Sequence, residues 1–494
     1  MKPPGFFPAI FLSFWIAVFP VHASKTSIDL PSLGDATSGI ISPQQEYELG
    51  RTYLKVIRSQ TPTVSDPELK DYLERLISRL AASSEIIDHR LITLVIDNTT
   101  INAFAAPGGI VGVNTGLFLN ADTEAQFAAV LAHELAHLSQ RHYARNVEEA
   151  RNKSLPTAAA ILASVLIMAA GGADAGAAAL TSTVAGLQSS RLKFSRQYER
   201  EADNMGIQTL ARAGFDPHAM PEIFEQMNKS SRYGSRPPEF LSTHPVTENR
   251  IADSRARADQ FQSGGSKGGI DFQLMKMRTL ALSAKNPHEL IKQLSRELET
   301  GHTGAPNISR YGLALTAIQT RDFTTAAKQL DRLLKTAPDN LHYILARANL
   351  DANSGNATTA LKTIDKALEI HLDYYPLLAT KAKILTQTAA HMKKEDPLTR
   401  QYQQDARTIL LKLSQMRPED PDIWYELAEA QGQAQDILGL HQARAEYFFL
   451  TGNLDDAIRH IEYAKKLAGD RYAIKAKLDK KLADMYEYRR KVIK

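Results

Sequence analysis

The residues best suited to chemistry in this sequence form one short motif, His133-Glu134-Leu135-Ala136-His137. Histidines at positions i and i+4 of an α-helix lie on one face, so both imidazoles can bind the same metal ion. A glutamate directly after the first histidine can accept a proton from water at that ion. The alternative is a pair of surface histidines around an ion-paired glutamate, but the helical context favours a zinc site.

A catalytic zinc ion takes three protein ligands and keeps one open position. The sequence contains no cysteine, so the third ligand must be a histidine or a carboxylate. Glu199 and Asp203 share one face of a predicted helix, and we predict Glu199 as the third ligand. Asp203 is expected to accept the other ring N–H of a ligand histidine and fix its tautomer. Glu201 points about 200° away from Glu199 and is the second choice.

Two other histidines could take part in the metal site, but each could also be an ordinary surface or structural residue. His244 lies in a loop before Pro245, and we consider it as an oxyanion stabiliser or as a fourth zinc ligand. In the second case the open position is blocked and the enzyme is latent. His142 does not share the helix face of His137, so we expect it to be structural.

The elements that must position these residues follow from the periodicity of the apolar residues. A capping-box pattern, Thr123 with Gln126, begins the motif helix, which ends near Ser139. A second helix over 194–213 carries Glu199. Upstream, the pattern predicts helices over 43–58 and 66–80 and strands over 91–96, 103–106 and 110–113, the last two joined by the turn Pro107-Gly108-Gly109.

The rest of the chain is predicted to be helical and repetitive. Residues 263–269 have the composition of a linker. A set of apolar positions then recurs with the period of a tetratricopeptide helix pair, although a generic helical bundle is the alternative. A polar insertion at 389–403 interrupts the period, and stacked helix pairs form concave surfaces that bind proteins. The recurring positions are Ala326, Leu330 and Leu333, then Ala360, Ile364 and Ala367.

Composition and targeting signals narrow the class of protein. The chain has 494 residues, 43% of them hydrophobic, and a net charge of +4 with no concentrated basic run, so no nucleic-acid partner is expected. The absence of cysteine excludes disulfides and thiol catalysis. Residues 1–23 resemble a cleaved signal peptide, with a membrane anchor as the alternative. A second apolar segment, 155–180, is predicted to be a helical hairpin that is buried or contacts a membrane peripherally, rather than one that inserts.

These features predict a mainly α (α+β) fold in four parts. They are a signal peptide (1–23), a zinc metallopeptidase domain with a small sheet (24–262), a linker and connecting helix (263–306), and an all-α repeat domain (307–494).

The chain resembles the HExxH gluzincin metallopeptidases, the family of the heat-shock membrane peptidase HtpX and the CAAX prenyl peptidases. Besides the zinc motif, the resemblance rests on Asn102-Ala103-Phe104-Ala105-Ala106-Pro107-Gly108-Gly109, on Thr115-Gly116-Leu117 and on Glu199-x-x-Ala202-Asp203. By this resemblance one Zn²⁺ per chain is bound by His133, His137 and Glu199, Glu134 is the general base, Asp203 is catalytic or orients a histidine, and His244 caps the zinc. Asn102, Ala103 and Phe104 would be the edge strand that holds the substrate backbone.

The resemblance also implies a cellular role. It implies a periplasmic zinc endopeptidase with a chaperone-like role in outer-membrane quality control, which promotes β-barrel assembly and degrades misassembled barrels. The implied partners are unfolded or misassembled outer-membrane proteins, the barrel-assembly machinery and the lipopolysaccharide-transport barrel. The alternative is a protein-binding chaperone or scaffold in which the repeats carry the function and the zinc site is silent or structural.

Overall fold

The computed structural model describes residues 41–152, 196–233, 238–261, 264–301 and 304–492. The predicted signal peptide and the apolar segment 155–180 lie outside these residues. The described chain is predominantly helical with one small sheet, which confirms the predicted fold class. In this part of the chain, no helix combines the length and the apolarity that spanning a membrane requires.

The chain begins with two amphipathic helices, α1 (Pro43–Gln60) and α2 (Pro67–Ala82). Each has proline at its first turn, where no backbone N–H is needed. The Ser42 and Asp66 side chains cap the two helices by accepting hydrogen bonds from the third residue of each. The predicted helices are therefore confirmed, each extending slightly beyond its predicted end.

A three-stranded sheet follows, formed by β1 (Ile92–Ile96), β2 (Ala103–Ala106) and β3 (Ile110–Asn114). The strand order is β1-β3-β2, with β1 parallel and β2 antiparallel to β3. Gly108 and Gly109 adopt φ of +77° and +78° in the β2–β3 turn, which glycine tolerates without strain. Within the described chain β2 lies at the edge of the sheet, and Asn102 precedes it.

The zinc-motif helix is α4 (Glu124–Ser139), reached through the short α3 (Thr115–Asn120). Thr123 Oγ1 accepts the N–H of Gln126 at 3.2 Å, as the capping pattern predicts. The Gln126 side chain instead accepts the N–H of Asp122, at 2.9 Å, so only half of the capping box forms. All residues of α4 from 125 to 137 are buried, which makes it the central helix of the domain.

In the part of the domain that the structure describes, five further helices follow α4. They are α5 (His142–Asn152), α6 (Arg196–Arg212), α7 (Ala219–Tyr233), the single-turn α8 (Phe240–Thr243) and α9 (Glu248–Ala258). The helix predicted over 194–213 corresponds to α6. Gly206 allows α6 to approach α4 closely, because a Cβ atom there would lie 3.2 Å from the backbone nitrogen of His133.

The predicted linker at 263–269 connects α9 to the next helix, and its described part, 264–269, is hydrogen-bonded to the domain. Ser266 donates its N–H to Gly214 O and accepts the N–H of Asp216, at 2.9 and 3.1 Å. The next helix, α10 (Ile270–Leu282), places Phe272 in the core around α4, 5.5 Å from the ring of Phe127. Small residues were needed here for close packing rather than for flexibility.

The remaining helices form the repeat array, introduced by α11 (Pro287–Thr300). The first helices of successive pairs begin at a nearly constant interval, except for one longer step from Tyr375 to Pro421, which contains the insertion predicted at 389–403. The pairs are α12 (Pro306–Gln319) with α13 (Phe323–Thr336), α14 (Leu341–Asn353) with α15 (Ala357–Leu368), α16 (Tyr375–His391) with α17 (Pro397–Met416), α18 (Pro421–Gln433) with α19 (Ile437–Leu450), and α20 (Leu454–Ala468) with α21 (Tyr472–Val492).

The array is attached to the N-terminal domain along α2. Lys70 lies 2.9 Å from Asp420 Oδ1, and Glu68 Oε2 lies 2.6 Å from the Nδ1 of His342. Further along α2, Glu74 pairs with Arg417 of the array. These partly or fully buried pairs hold the array at a defined position beside the domain.

Candidate metal centre

Four side chains meet below β2: His133 and His137 from α4, Glu199 from α6 and His244 from the end of α8. One donor atom of each lies within 4.8 Å of the others, and all four residues are buried. The described residues contain no other such group of three or more. The structure thus brings together the predicted zinc motif, the predicted third ligand and the candidate fourth ligand.

The distances between these donor atoms fit a tetrahedral zinc ion. Bonds of about 2.0–2.1 Å require donors about 3.3 Å apart. The Nε2 atoms of His133 and His137 are 3.1 Å apart, and His244 Nδ1 lies 3.4 Å from His133 Nε2. Glu199 Oε1 lies 3.6 Å from His137 Nε2. Three imidazoles and one carboxylate also suit zinc better than calcium or magnesium, which prefer oxygen ligands alone.

Both motif histidines are held through their second ring nitrogen. His133 Nδ1 lies 3.0 Å from Asp203 Oδ1, as expected for a carboxylate that fixes the tautomer. His137 Nδ1 lies 2.8 Å from Nδ1 of His142, so His142 supports a ligand without entering the cluster. Glu201 lies 3.3 Å from His142 Nε2 and does not join the four donors, so the structure contradicts it as the alternative ligand. It lies on the other face of α6, as the helix geometry indicated.

Glu134 lies beside the cluster with one oxygen already engaged. Its Oε2 accepts the N–H of Ala105 in β2 at 2.9 Å, which fixes the carboxylate relative to the edge strand. Its Oε1 lies 3.5 Å from His244 Nε2. Burial raises the pKa of Glu134, and the neighbouring His244 and His133 oppose this shift. A carboxylate of raised pKa in this position can accept a proton and return it.

His244 lies at the fourth corner of the cluster. Its backbone N–H donates to Phe240 O at 2.8 Å, and its ring stacks on the Phe240 ring at 4.8 Å. Nδ1 faces the cluster and lies 2.9 Å from Glu199 Oε1, whereas Nε2 faces Glu134. His244 therefore belongs to the group of four possible donors. Its role as a fourth zinc ligand or as an oxyanion stabiliser stays a prediction.

Electrostatics favour the metal-binding forms of two of these side chains, His137 and Glu199. Burial and the neighbouring histidines lower the pKa of His137 well below its ordinary value, so its ring is neutral near pH 7. Burial alone would raise the pKa of Glu199, but His244, His133 and Arg250 outweigh it and lower the pKa. Neutral imidazoles and an ionised carboxylate are the species that bind zinc.

Sequence reasoning missed Arg250, on α9. Its Nε and Nη2 donate to the two oxygens of Asp203 at 2.8 and 2.7 Å, and its Nη1 lies 2.8 Å from Glu199 Oε2. No local pattern indicates this contact, because Arg250 lies 47 residues after Asp203. The one sequence signal is its place shortly after His244, where the loop leads into α9.

A cleft opens from the cluster along β2. Its walls include Asn102 and Phe104 from the predicted substrate strand and apolar or aromatic side chains from α1, the α2–β1 loop and α5. Ala103, the third predicted residue of that strand, is buried on the opposite face. Both Glu134 and His244 line the inner end of the cleft. An extended peptide lying beside β2 would therefore pass next to the four donor atoms.

Comparisons with known proteins agree with this geometry. The family model described as peptidase family M48 matches residues 67–258. The beta-barrel assembly-enhancing protease of Escherichia coli is 34% identical over 441 residues, which cover 89% of this chain and 88% of that protein. A putative beta-barrel assembly-enhancing protease of Vibrio cholerae is 33% identical over 452 residues, covering 91% and 90%. The mitochondrial metalloendopeptidase OMA1 of Schizosaccharomyces pombe is 34% identical over 181 residues, covering 36% of this chain and 50% of its own length.

Proposed function

Because the chain belongs to peptidase family M48, together with the beta-barrel assembly-enhancing proteases, we propose that it is a zinc-dependent endopeptidase of outer-membrane quality control. In this proposal it acts in the periplasm, promotes the assembly of β-barrel proteins and degrades those that misassemble. Membership of the family confirms the predicted metallopeptidase. The names of the bacterial relatives support the link to barrel assembly, and the predicted signal peptide supports export.

The observation that carries the proposal is the position of Glu134 between the four donors and the edge strand. His133, His137 and Glu199 would hold the zinc ion. When bound, zinc polarises the scissile carbonyl and lowers the pKa of water. Glu134 Oε1 then takes the proton of the attacking water and passes it to the leaving amine. Its other oxygen stays bonded to Ala105 N, which keeps this proton acceptor aligned with a peptide on β2.

The remaining residues orient rather than react. Asp203 lies against His133 Nδ1 and directs Nε2 of that ring toward the ion. The edge of β2 that borders the cleft would pair with the substrate backbone, which holds an extended peptide irrespective of much of its sequence. His244 fills the fourth position, so the resting enzyme is latent until substrate or a partner displaces the ring.

The repeat array would recruit the partners. We propose unfolded or misassembled outer-membrane proteins as substrates, with the barrel-assembly machinery and the lipopolysaccharide-transport barrel as partners. Stacked helix pairs supply the extended surface that such binding requires. Since the array is attached along α2, a protein bound to it would be held near the cleft.

The test compares zinc content and cleavage for the wild type, Glu134→Gln and His244→Ala. Casein and an unfolded β-barrel protein serve as substrates. We expect about one zinc ion per chain in all three proteins. Glu134→Gln should cleave about 10²- to 10⁴-fold more slowly than the wild type, because it loses the proton acceptor but keeps its shape. His244→Ala should cleave faster than the wild type, because the fourth position is open.

A matched control is Glu124→Gln, at the first turn of the same helix. Glu124 accepts a hydrogen bond from Tyr72 OH at 2.7 Å and lies away from the cluster, so its loss should leave cleavage unchanged. If all three proteins bind zinc but none cleaves, the scaffold alternative replaces this proposal. Absence of zinc from the wild type would refute the metal site itself.

A further inference from the structure

Arg250 contacts three separate parts of the metal site with one buried guanidinium. Two of its nitrogens donate to both oxygens of Asp203, and the third lies 2.8 Å from Glu199 Oε2. That third nitrogen, Nη1, also donates to the carbonyl of Pro245 at 2.8 Å. The side chain is only 7% exposed, so these protein groups replace water around the charge. Its position links α6 to the loop of His244.

We propose that Arg250 is the positioning residue of this metal site, acting on its two carboxylates and on the loop that carries His244. This inference rests on the proposed zinc site and assigns the group that gives the site its geometry. Arg250 is not itself a ligand, because its guanidinium stays protonated and has no free electron pair for a metal.

The first action of Arg250 is to select one oxygen of Glu199. Oε1 lies 3.6 Å from Nε2 of His137, and Oε2 lies 3.6 Å from Nε2 of His133. The two histidines therefore do not distinguish between the oxygens. Arg250 does, because Nη1 pairs with Oε2. Oε1 would be left to bind the ion, so Glu199 would be a ligand through a single oxygen.

The second action passes through Asp203. Both of its oxygens are engaged by Arg250, so this carboxylate cannot rotate about its terminal bond without losing a hydrogen bond. Its Oδ1 also lies 3.0 Å from His133 Nδ1. The guanidinium thereby fixes the carboxylate that fixes the ring of a metal ligand.

The third action concerns the loop. Pro245, whose carbonyl accepts from Nη1, directly follows His244. At the other end of the loop, Thr247 Oγ1 accepts the backbone N–H of Arg250 at 3.2 Å. Pro245, next to His244, is therefore bound to the same guanidinium that aligns Glu199, whereas the Thr247 contact is the N-cap of α9. Release of His244 from the fourth position has to break or pivot about the Pro245 contact.

Lysine cannot replace this arrangement. Its ammonium is a single point of charge, whereas Arg250 engages three acceptor groups through three nitrogens in a plane. Arg250→Lys keeps the charge but loses the bidentate contact with Asp203 or the contacts of Nη1. We therefore expect Arg250→Lys to bind zinc about 10- to 100-fold more weakly than the wild type, the loss typical of groups that support metal ligands.

The experiment measures zinc affinity of the full chain by competition with a chelator, alongside thermal unfolding of the metal-free proteins. The matched control is Arg278→Lys. Arg278 is equally buried, donates Nε and Nη2 to Asp66 at 2.8 Å each, and lies 2.7 Å from Glu68, remote from the cluster. Both substitutions should lower the unfolding temperature, but Arg278→Lys should leave the zinc affinity within twofold of the wild type.

The loop is tested by combining Arg250→Lys with His244→Ala. If Arg250 acts partly by holding His244, the two losses of affinity are less than multiplicative. Fully multiplicative losses would overturn the role in the loop, and a zinc affinity of Arg250→Lys within twofold of the wild type would overturn the whole inference. Should Arg250→Lys not fold, Arg250→Gln takes its place with the same expectation. A wild type without zinc would instead refute the proposed function, so the two failures are distinguishable.

Discussion

Gly206 offers the sharpest test of how helix packing sets the metal site. It lies on α6, one turn after Asp203, where that helix meets the start of the zinc motif on α4. A Cβ atom at Gly206 would lie 3.2 Å from His133 N and 3.3 Å from His133 Cα. Ordinary carbon contacts are about 3.5 to 4.0 Å, so Gly206→Ala must move the two helices apart by roughly 0.3 to 0.5 Å.

Two effects of Gly206→Ala on stability oppose each other. Alanine in a helix gains about 1 kcal/mol over glycine. Overpacking a well-packed contact costs about 1 to 3 kcal/mol. Met220 Cε, 2.9 Å from the same Cβ position, is the end of a flexible side chain and can move. The backbone at His133 cannot move without shifting α4, so the difference between the two effects is a net loss of at most about 2 kcal/mol in unfolding free energy.

The effect on metal binding should exceed the effect on stability. Glu199 on α6 and the two histidines on α4 bind from opposite sides of the helix contact. Metal sites tolerate deviations of about 0.2 Å in their bond lengths, which is less than the expected separation of the helices. We expect Gly206→Ala to bind zinc about tenfold more weakly, as for other changes that disturb the support of metal ligands, measured by chelator competition next to urea unfolding.

The control is Gly432→Ala on α18, where an added Cβ meets only the mobile Cδ1 of Leu440 within 4 Å. That variant should be as stable as the wild type or more stable, with unchanged zinc affinity. Wild-type zinc affinity and stability in Gly206→Ala would refute the argument that this glycine sets the distance between α4 and α6.

Two further predictions concern lysines at the contact between domain and array: Lys55, whose Nζ lies 4.3 Å from the ring centre of Phe449, and Lys70. Burial lowers the pKa of Lys55 from 10.5 to about 8, so the unfolded state binds this proton more tightly than the folded state. The free energy of unfolding should therefore rise by about 1.4 kcal/mol for each pH unit between pH 8 and 10.5. Lys55→Met should abolish this rise in unfolding experiments, and parallel pH curves for the two proteins would contradict the assignment. Lys70→Met leaves the buried Asp420 without its closest cation and should lower the free energy of unfolding by about 3 kcal/mol. The exposed Arg90 serves as its control, since Arg90→Met should cost under about 1 kcal/mol; equal losses would mean that the buried pair is not special.

The sequence was sufficient to predict those features that depend on the spacing of residues within one helix or strand. The i, i+4 histidines had to share a face of α4, and Glu199 with Asp203 had to share a face of α6, because helix geometry leaves no choice. The sheet followed from β-rich runs around a glycine turn. The helix pairs of the array followed from the regular recurrence of small and large apolar residues, as in Ala326 and Leu330, then Ala360 and Ile364.

Composition alone does not show whether a glycine-rich segment packs against the rest of the protein. The glycines of 264–269 have the composition of a flexible linker, but Gly265 lies so close to Phe215 that a Cβ would overlap its backbone. Gly268 is packed against Glu124 in the same way. The sequence does not distinguish a glycine that allows close contact from one that allows flexibility, and only the tertiary structure does.

The residues that sequence reasoning missed share one property: they join elements that are far apart in the chain. Arg250 reaches Asp203 across 47 residues, and Lys70 reaches Asp420 across 350. A motif states which atoms can bind a metal, because that depends on one helix face. The few tenths of an ångström that separate a tight site from a weak one depend instead on how two helices approach and on what holds the carboxylates. In this protein Gly206 sets the approach of the two helices and Arg250 holds the carboxylates. Substituting either should therefore weaken metal binding more than it destabilises the fold.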